Sequence, residues 1–256
     1  MGERDETSAM PGVRTVGAGA PFGWLARGFA DFRAHPLPSL FYGVCFAAMG
    51  WLIAVVFEHA AAYVSSLATG FFLVGPFLAT GLYALSRRRE RGEPAWLAPT
   101  LDAWRGNVGA IGVFAIVLAV ILLVWARASL VVFALFYTSE MPSVHGFLGQ
   151  IFSLDNLEFL VAYACVGGFF ALLVFAISVV SVPMMLDRGT DGVVAVLTSA
   201  RAFAANLPAM IVWAVTIVVV IAAGFALLFV GLVVAVPLIG HATWHAYRAL
   251  VEPPAG

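Results

Sequence analysis

The sequence predicts an all-α membrane protein with six transmembrane helices. They are arranged as three tandem helical hairpins, each preceded by a cytoplasmic interfacial amphipathic helix. Hydrophobic residues make up 62% of the 256 residues and charged residues only 11%, whereas about a quarter of the residues in a soluble domain are charged. The apolar residues lie in runs of about twenty, the length that a helix needs to cross a bilayer. Arginines between these runs orient the helices.

One stretch sets the topology, GFFLVGPFLATGLYALSRRRER from Gly70 to Arg91. Its apolar run ends in four arginines that we interpret as cytoplasmic topology anchors, namely Arg87, Arg88, Arg89 and Arg91. A weaker copy closes the chain, LVVAVPLIGHATWHAYR at residues 232–248. When the two stretches are aligned, Pro237 falls on Pro76 and Arg248 falls on Arg87. Arg248 is therefore predicted to be a further anchor on the same side of the membrane.

The first repeat is predicted at residues 21–91. Residues 1–20 are polar and glycine-rich without an apolar leader core, so we expect a disordered cytoplasmic tail. Residues 21–35 are predicted to form an interfacial helix, because apolar side chains recur there at helical spacing: Trp24, Leu25, Phe29 and Phe32. Two spans of suitable length follow, at residues 39–57 and 60–86.

The second repeat is predicted at residues 94–188. A short interfacial helix at residues 94–107 precedes a third span, which runs from Val108 to about Ala126. A long loop on the far side, residues 138–157, leads to a fourth span at residues 158–185. Pro183 lies in this span and is expected to kink its helix, as Pro76 and Pro237 are in the other two repeats.

The third repeat is predicted at residues 191–250, with an interfacial helix at residues 191–206. The apolar run that follows continues to Gly240 and is either one overlong helix or a hairpin that turns at residues 222–224. A five-span arrangement, the alternative, would place Arg248 on the opposite side from the other arginines. The charges therefore favour six spans in a single membrane domain, residues 21–252, with both termini cytoplasmic.

Two blocks carry a family resemblance, GFFLVGPFLATGLYALSRRRERGE and PLIGHATWHAYR. They are similar to the signature blocks of a bacterial family of predicted integral membrane proteins of unassigned function. Members of that family also tend to share a pattern that this chain matches at Trp24, Leu25, Gly28, Asp31, Phe32 and Pro36. The resemblance implies a location in the bacterial inner membrane, and it implies no particular activity.

His241 and His245 are four residues apart and are expected to share one face of a helix. Such a pair can ligate copper, zinc or haem iron, and Trp244 and Tyr247 beside it could pack against a porphyrin. The alternative is a belt of histidine and aromatic side chains at the cytoplasmic interface, where amphipathic rings are enriched. Apart from this haem or copper alternative, no cofactor is predicted.

Arg127 is the ionisable residue that lies inside a long apolar run. A charge near the bilayer centre costs at least about 2.5–3.5 kcal/mol, but Arg127 is about twenty residues into its span and is expected near the outer surface. It either reaches the headgroups or pairs with an acidic residue there, the candidates being Glu140, Asp155 and Glu158. The functional alternative is contact with an anion or substrate in a cavity between the hairpins.

The sequence predicts a non-enzymatic role. It lacks a nucleophile elbow, a phosphate-binding loop, an HExxH pair and a CxxC motif, and its spans contain few carboxylates or histidines. The preferred function is a scaffold or assembly partner of a membrane complex. Two alternatives are a small-molecule transporter with an axial cavity, and a haem or copper protein for respiratory-oxidase assembly. Expected partners are membrane lipids and other membrane subunits, and no nucleic acid, since no basic face with interleaved aromatics occurs.

Overall fold

A computed structural model of the chain describes residues 10–59, 63–136 and 157–253, apart from the side chains of residues 64–66 and 72. Within these ranges the fold consists of helices: α1 (Ala20–Ala34), α2 (Pro36–His59), α3 (Val64–Glu90), α4 (Val108–Phe136), α5 (Leu157–Ser178), α6 (Ser181–Arg188), α7 (Gly192–Ala205), α8 (Leu207–Ala226) and α9 (Leu232–Leu250). The predicted all-α fold is thereby confirmed. The loop predicted at residues 138–157, with Glu140, His145 and Asp155, lies almost wholly outside the described residues.

Five segments are long and apolar enough to cross a membrane: Pro36–His59, Leu67–Glu90, Ala98–Phe136, Leu157–Arg188 and Leu207–Ala226. Helix α9 is not among them, because its second half carries polar and charged side chains such as His241 and Arg248. The sixth span therefore stays a prediction, and five is the number that length and composition support.

The last apolar run does turn. Helix α8 continues past the predicted turn at residues 222–224, and the chain reverses after Leu227. Leu228 and Phe229 adopt left-handed backbone conformations with φ of 52° and 65°, which a glycine would adopt more easily. Because the turn is built from apolar residues, no polar marker in the sequence reveals its position.

Helix α9 is the central helix of the fold and packs against α1, α2, α3 and α8. Two glycines allow this close packing. A Cβ atom on Gly28 of α1 would lie 2.6 Å from the backbone nitrogen of Ala242, and one on Gly43 of α2 would lie 2.0 Å from the carbonyl oxygen of Val233. Helices with small residues at the contact can approach this closely.

Helix α1 forms where the amphipathic pattern predicts it, but its buried face differs from the predicted one. Trp24, Gly28 and Asp31 are buried, whereas Phe29 is exposed. The reason is that α1 packs on α9 with its glycine side, and this turns Asp31 inward. The face that contacts protein is therefore set by the partner helix and not by hydrophobicity alone.

The interfacial helix predicted at residues 94–107 is replaced by two short 3₁₀ turns, Ala98–Thr100 and Ala103–Asn107. Pro94 and Pro99 have no backbone N–H to donate to a regular helix. The first turn is fixed by a hydrogen bond of 2.9 Å between the Thr100 and Tyr42 hydroxyls.

The fourth predicted span is interrupted between α5 and α6. Pro183 cannot donate to the carbonyl of Val179, so the regular hydrogen-bond ladder ends there. Ser199 of α7 compensates for the break, since its hydroxyl accepts from Val180 N at 3.3 Å and donates to the Ala176 carbonyl at 2.8 Å. The break therefore lies just before Pro183 and is stabilised by a neighbouring helix.

The described part of the predicted N-terminal tail contacts the C-terminus. Arg14 N donates to the Leu250 carbonyl at 2.8 Å, and Glu252 N donates to the Gly12 carbonyl at 3.0 Å. Asn206 joins this contact by accepting from Val16 N at 2.7 Å. Residues 12–16 are therefore ordered against the end of α9, whereas residues 1–9 lie outside the described residues.

Candidate functional site

The two sequence blocks that are far apart in the chain meet at one end of the helix bundle. We call this the arginine-rich end; it comprises the last turns of α3 and α9 with the parts of α1, α2 and α6 that contact them. The anchors predicted at Arg87 and Arg248 lie there together, since both line one cavity, and Arg248 Nε donates to Glu90 Oε1 of α3 at 3.0 Å. The two similar stretches of sequence therefore end close together in space.

His241 is buried in the middle of this end and uses both ring nitrogens. Its Nε2 lies 2.9 Å from Ser39 Oγ, and its Nδ1 lies 2.8 Å from Ser86 Oγ. The Ser39 hydroxyl donates to the His35 carbonyl at 2.7 Å, so it must accept from His241. A neutral ring with its proton on Nε2 satisfies all of these hydrogen bonds, with Ser86 donating to Nδ1.

His245 lies one turn further along α9 and contacts the buried carboxylate of Asp31. The distance from Nε2 to Asp31 Oδ2 is 2.9 Å, and the other carboxylate oxygen accepts from the guanidinium of Arg89. Asp31 is only 3% exposed. Together with Ser39, Ser86 and His241, these three residues form what we call the histidine cluster, which joins α1, α2, α3 and α9.

The environment of Asp31 stabilises its charged form. Burial by itself raises the pKa of this carboxyl, but the hydrogen bond from His245 and the positive charge of His245 outweigh it, so that the pKa is lowered. Hydrogen bonds to a carboxylate favour its ionised state. Asp31 is therefore a carboxylate at neutral pH, held between an imidazole and a guanidinium.

The lowered pKa of Asp31 predicts a pH dependence of stability. A carboxyl with a depressed pKa stabilises the folded state above its ordinary pKa, and this contribution is lost as the pH falls through the folded value. We expect the wild type to unfold at a higher temperature than Asp31→Asn at neutral pH, and the difference to shrink below about pH 4. Thermal unfolding in mild detergent measures it, and a difference independent of pH would contradict the assignment.

The two histidines that form the alternative haem or copper site are thus engaged in hydrogen bonds. A metal at His241 would have to replace one of its two serine contacts. Within the described ranges, no group of three or more histidine, cysteine, aspartate or glutamate side chains is placed to hold a metal ion. The haem or copper alternative stays a prediction.

Two acidic residues attach α9 to α3 and α6. Glu90 accepts from Trp244 Nε1 at 2.9 Å and from Arg248 Nε at 3.0 Å. Asp187 accepts from the Tyr247 hydroxyl at 2.9 Å. The aromatic residues that could have packed against a porphyrin therefore use their polar atoms to fix the end of α9.

Arg127 lies apart from this site. Its side chain is exposed on α4, and it forms no ion pair with any residue that the structure describes. Two of its predicted partners, Glu140 and Asp155, are outside the described residues. The third, Glu158, is exposed at the start of α5. Its predicted role in binding an anion or substrate stays open.

A cavity of about 260 Å³ lies among the membrane helices. We call it the central cavity, because residues of α2, α3, α4, α5, α6, α8 and α9 line it. Pro76 and Gly75 form part of its wall in the middle of α3, and most of the remaining wall is apolar or aromatic. Larger grooves of about 550 and 430 Å³ lie elsewhere, but each is formed mainly by two neighbouring elements, and lipid chains can fill such grooves.

The wall of the central cavity includes a buried donor without a partner. Trp213 of α8 is fully buried, and its indole N–H has no hydrogen-bond partner among the described residues. Buried indole N–H groups usually have one. The nearby Thr243 hydroxyl already donates to the Ile239 carbonyl at 2.8 Å. The wall thus contains the unpartnered Trp213 N–H together with the hydroxyls of Tyr83 and Ser178.

Sequence reasoning missed several of these residues. Asp31 appeared only within the family pattern, and Ser39, Ser86 and Asp187 were not distinguished from other polar residues. Trp213 sits in an uninterrupted apolar run, where nothing in the pattern marks it. Its role depends on which helices surround it, and that information is tertiary.

The comparisons with known proteins give the family and nothing more specific. No curated protein and no solved structure matches the chain. A family model described as Predicted integral membrane protein (DUF2189) matches residues 63–187, a segment that contains the first signature block and ends before the second. The family resemblance noted in the sequence is thereby confirmed: over residues 63–187, just under half of its length, the chain matches the family of predicted integral membrane proteins DUF2189.

Proposed function

We propose that this protein is a non-enzymatic small-molecule transporter whose substrate occupies the central cavity. The observation that supports the proposal is the cavity itself, at the Gly75-Pro76 site of α3 and bordered by nearly all of the long helices. Pro76 removes one backbone hydrogen bond from α3, which continues as a helix on both sides of it. Substrate sites of many transporters lie near the middle of the bilayer, between helices.

The lining defines the class of substrate. The most polar ring among the described lining residues is the phenol of Tyr83, and none of these residues is a carboxylate, histidine, lysine or arginine. A charged substrate would lose its hydration without gaining a counter-charge. The Trp213 N–H offers one hydrogen bond to an acceptor. We therefore expect a small neutral molecule with an apolar or aromatic body and at least one hydrogen-bond acceptor. It should be smaller than the ligands for which pockets of about 300–1,000 Å³ are usual.

Cysteine accessibility tests this function. Ala79 lines the central cavity and can be replaced by cysteine after Cys45 and Cys165 are changed to serine. A transporter exposes its substrate site to each side in turn, so a membrane-impermeant thiosulfonate should label Ala79→Cys in vesicles of both orientations. The matched control is Ala119→Cys, a buried position of α4 that does not line the cavity and should stay unlabelled.

Two neutral small molecules test the expected class of substrate. Acetophenone has an aromatic ring and one acceptor, and isopropylbenzene has a similar shape without the acceptor. We expect acetophenone to slow the labelling of Ala79→Cys more than isopropylbenzene does, and the difference to disappear in Trp213→Phe. Labelling from neither side would overturn the transporter and favour the scaffold predicted from the sequence.

A further inference from the structure

A second cavity, of about 490 Å³, lies at the arginine-rich end between α3, α6 and α9. We call it the arginine cavity, because its charged lining consists of four arginines and two carboxylates: Arg87, Arg91, Arg188, Arg248, Glu90 and Asp187. It is separate from the central cavity, with which it shares no lining residue. Its charge distribution indicates what it binds.

The two carboxylates of the arginine cavity are already compensated. Arg91 Nη2 lies 3.3 Å from Asp187 Oδ1, and Arg248 pairs with Glu90 at 3.0 Å and with Asp187 at 3.6 Å. Further hydrogen bonds from Trp244 and Tyr247 fix the carboxylates in place. Arg91 and Arg248 therefore balance the two negative charges.

The other two arginines carry charge that remains unbalanced. Arg87 Nη1 donates to the Leu186 carbonyl at 2.8 Å, and Arg188 Nε donates to the Tyr247 hydroxyl at 2.8 Å. Both acceptors are neutral, and within the described residues neither arginine forms an ion pair. The cavity thus presents two positive charges in excess, on guanidinium groups that their protein contacts hold in place.

We propose that the arginine cavity binds a phosphate group, carried either by an anionic membrane lipid or by a soluble phosphate compound. Guanidinium groups bind phosphate oxygens through paired, charge-assisted hydrogen bonds. A phosphate monoester carries about 1.5–2 negative charges at neutral pH, which matches the excess on Arg87 and Arg188. Basic pockets between membrane helices recognise lipid headgroups by the same chemistry.

The test uses full-length protein in mild non-ionic detergent with three probes: dioleoyl phosphatidic acid, dioleoyl phosphatidylcholine and inorganic phosphate. Native mass spectrometry counts bound lipid, and thermal unfolding reports stabilisation. We expect one phosphatidic acid to bind in preference to phosphatidylcholine, and the double variant Arg87→Gln with Arg188→Gln to weaken this binding by about tenfold or more. Stabilisation by inorganic phosphate as well would identify a soluble phosphate compound as the ligand.

The matched control is Arg88→Gln with Arg105→Gln, which removes the same net charge outside the cavity. Arg88 pairs with Glu93, and Arg105 lies near Asp102. This control should bind as the wild type does. Equal weakening in both double variants, or no preference for phosphatidic acid over phosphatidylcholine, would overturn the proposal. If the double variant of Arg87 and Arg188 does not fold, the single variant Arg188→Gln is compared with Arg105→Gln. Equal weakening in these two variants would then overturn the proposal.

Discussion

Gly43→Ala is expected to destabilise the protein strongly, although it adds a single methyl group. The new Cβ would lie 2.0 Å from the carbonyl oxygen and 2.7 Å from the carbonyl carbon of Val233. Because these are backbone atoms of α9, no side-chain rotation can relieve the contact, and α2 must move away from α9. Overpacking of this kind costs about 1–3 kcal/mol and sometimes more, so the free energy of unfolding should fall by at least about 2 kcal/mol.

The same substitution at Gly70 is the control for Gly43→Ala. Gly70 also lies within a membrane helix, but a Cβ atom there would meet nothing within 4 Å. Alanine favours helix over glycine by about 1 kcal/mol, so Gly70→Ala should be neutral or slightly stabilising. Thermal unfolding of the three purified proteins in detergent measures the difference. If Gly43→Ala unfolds at the same temperature as Gly70→Ala and the wild type, the close approach of α2 to α9 is refuted.

The long helices of this fold follow from the lengths of the apolar runs, which are visible in the sequence. Spans such as α2 and α8 are runs of about twenty apolar residues, and a helix of this length crosses a bilayer with its backbone hydrogen bonds satisfied internally. The aligned arginines predicted Arg248 on the same side of the membrane as Arg87, and the two residues line one cavity at the arginine-rich end. Charge and length are local properties of the chain, so they can be read without the fold.

The turn and the broken span could not be located from the sequence. The turn after Leu227 consists of apolar residues, and its position depends on where α8 and α9 stop packing against each other. The break before Pro183 is stabilised by Ser199 of α7, a contact that no periodicity reveals. Sequence patterns predict helices here more securely than the joints between them.

The candidate sites show the same limit. The pattern identified His241 and His245 as unusual, but their partners Ser39 and Asp31 lie 202 and 214 residues away in the chain. Which polar residue reaches which histidine is decided by the packing of α1 and α2 on α9. A metal site, an interfacial belt and a hydrogen-bonded cluster all fit the same spacing of histidines, and the surroundings of the two rings distinguish them.

Asp31→Ala is the second substitution for which we expect a large effect. Asp31 accepts hydrogen bonds from His245 at 2.9 Å and from Arg89, and these contacts tie α1 to α9 and α3. Removing the carboxylate leaves both donors without their acceptor, and hydrogen bonds to charged groups contribute about 1.5–3 kcal/mol each. The side chain of Arg89 is 39% exposed, so water offsets part of its loss. We expect the free energy of unfolding to fall by about 2–3 kcal/mol in total.

Glu93→Ala is the matched control for Asp31→Ala, because it also removes a carboxylate that pairs with an arginine near the end of α3. The side chains of Arg88 and Glu93 are 26% and 41% exposed at a distance of 3.3 Å, and exposed pairs contribute about 0–1 kcal/mol. Thermal unfolding of both variants compares a buried acceptor with an exposed one. Equal shifts would mean that the histidine cluster contributes no more than a surface ion pair. A much larger shift for Asp31→Ala would show that the cluster holds α1 in place against α9.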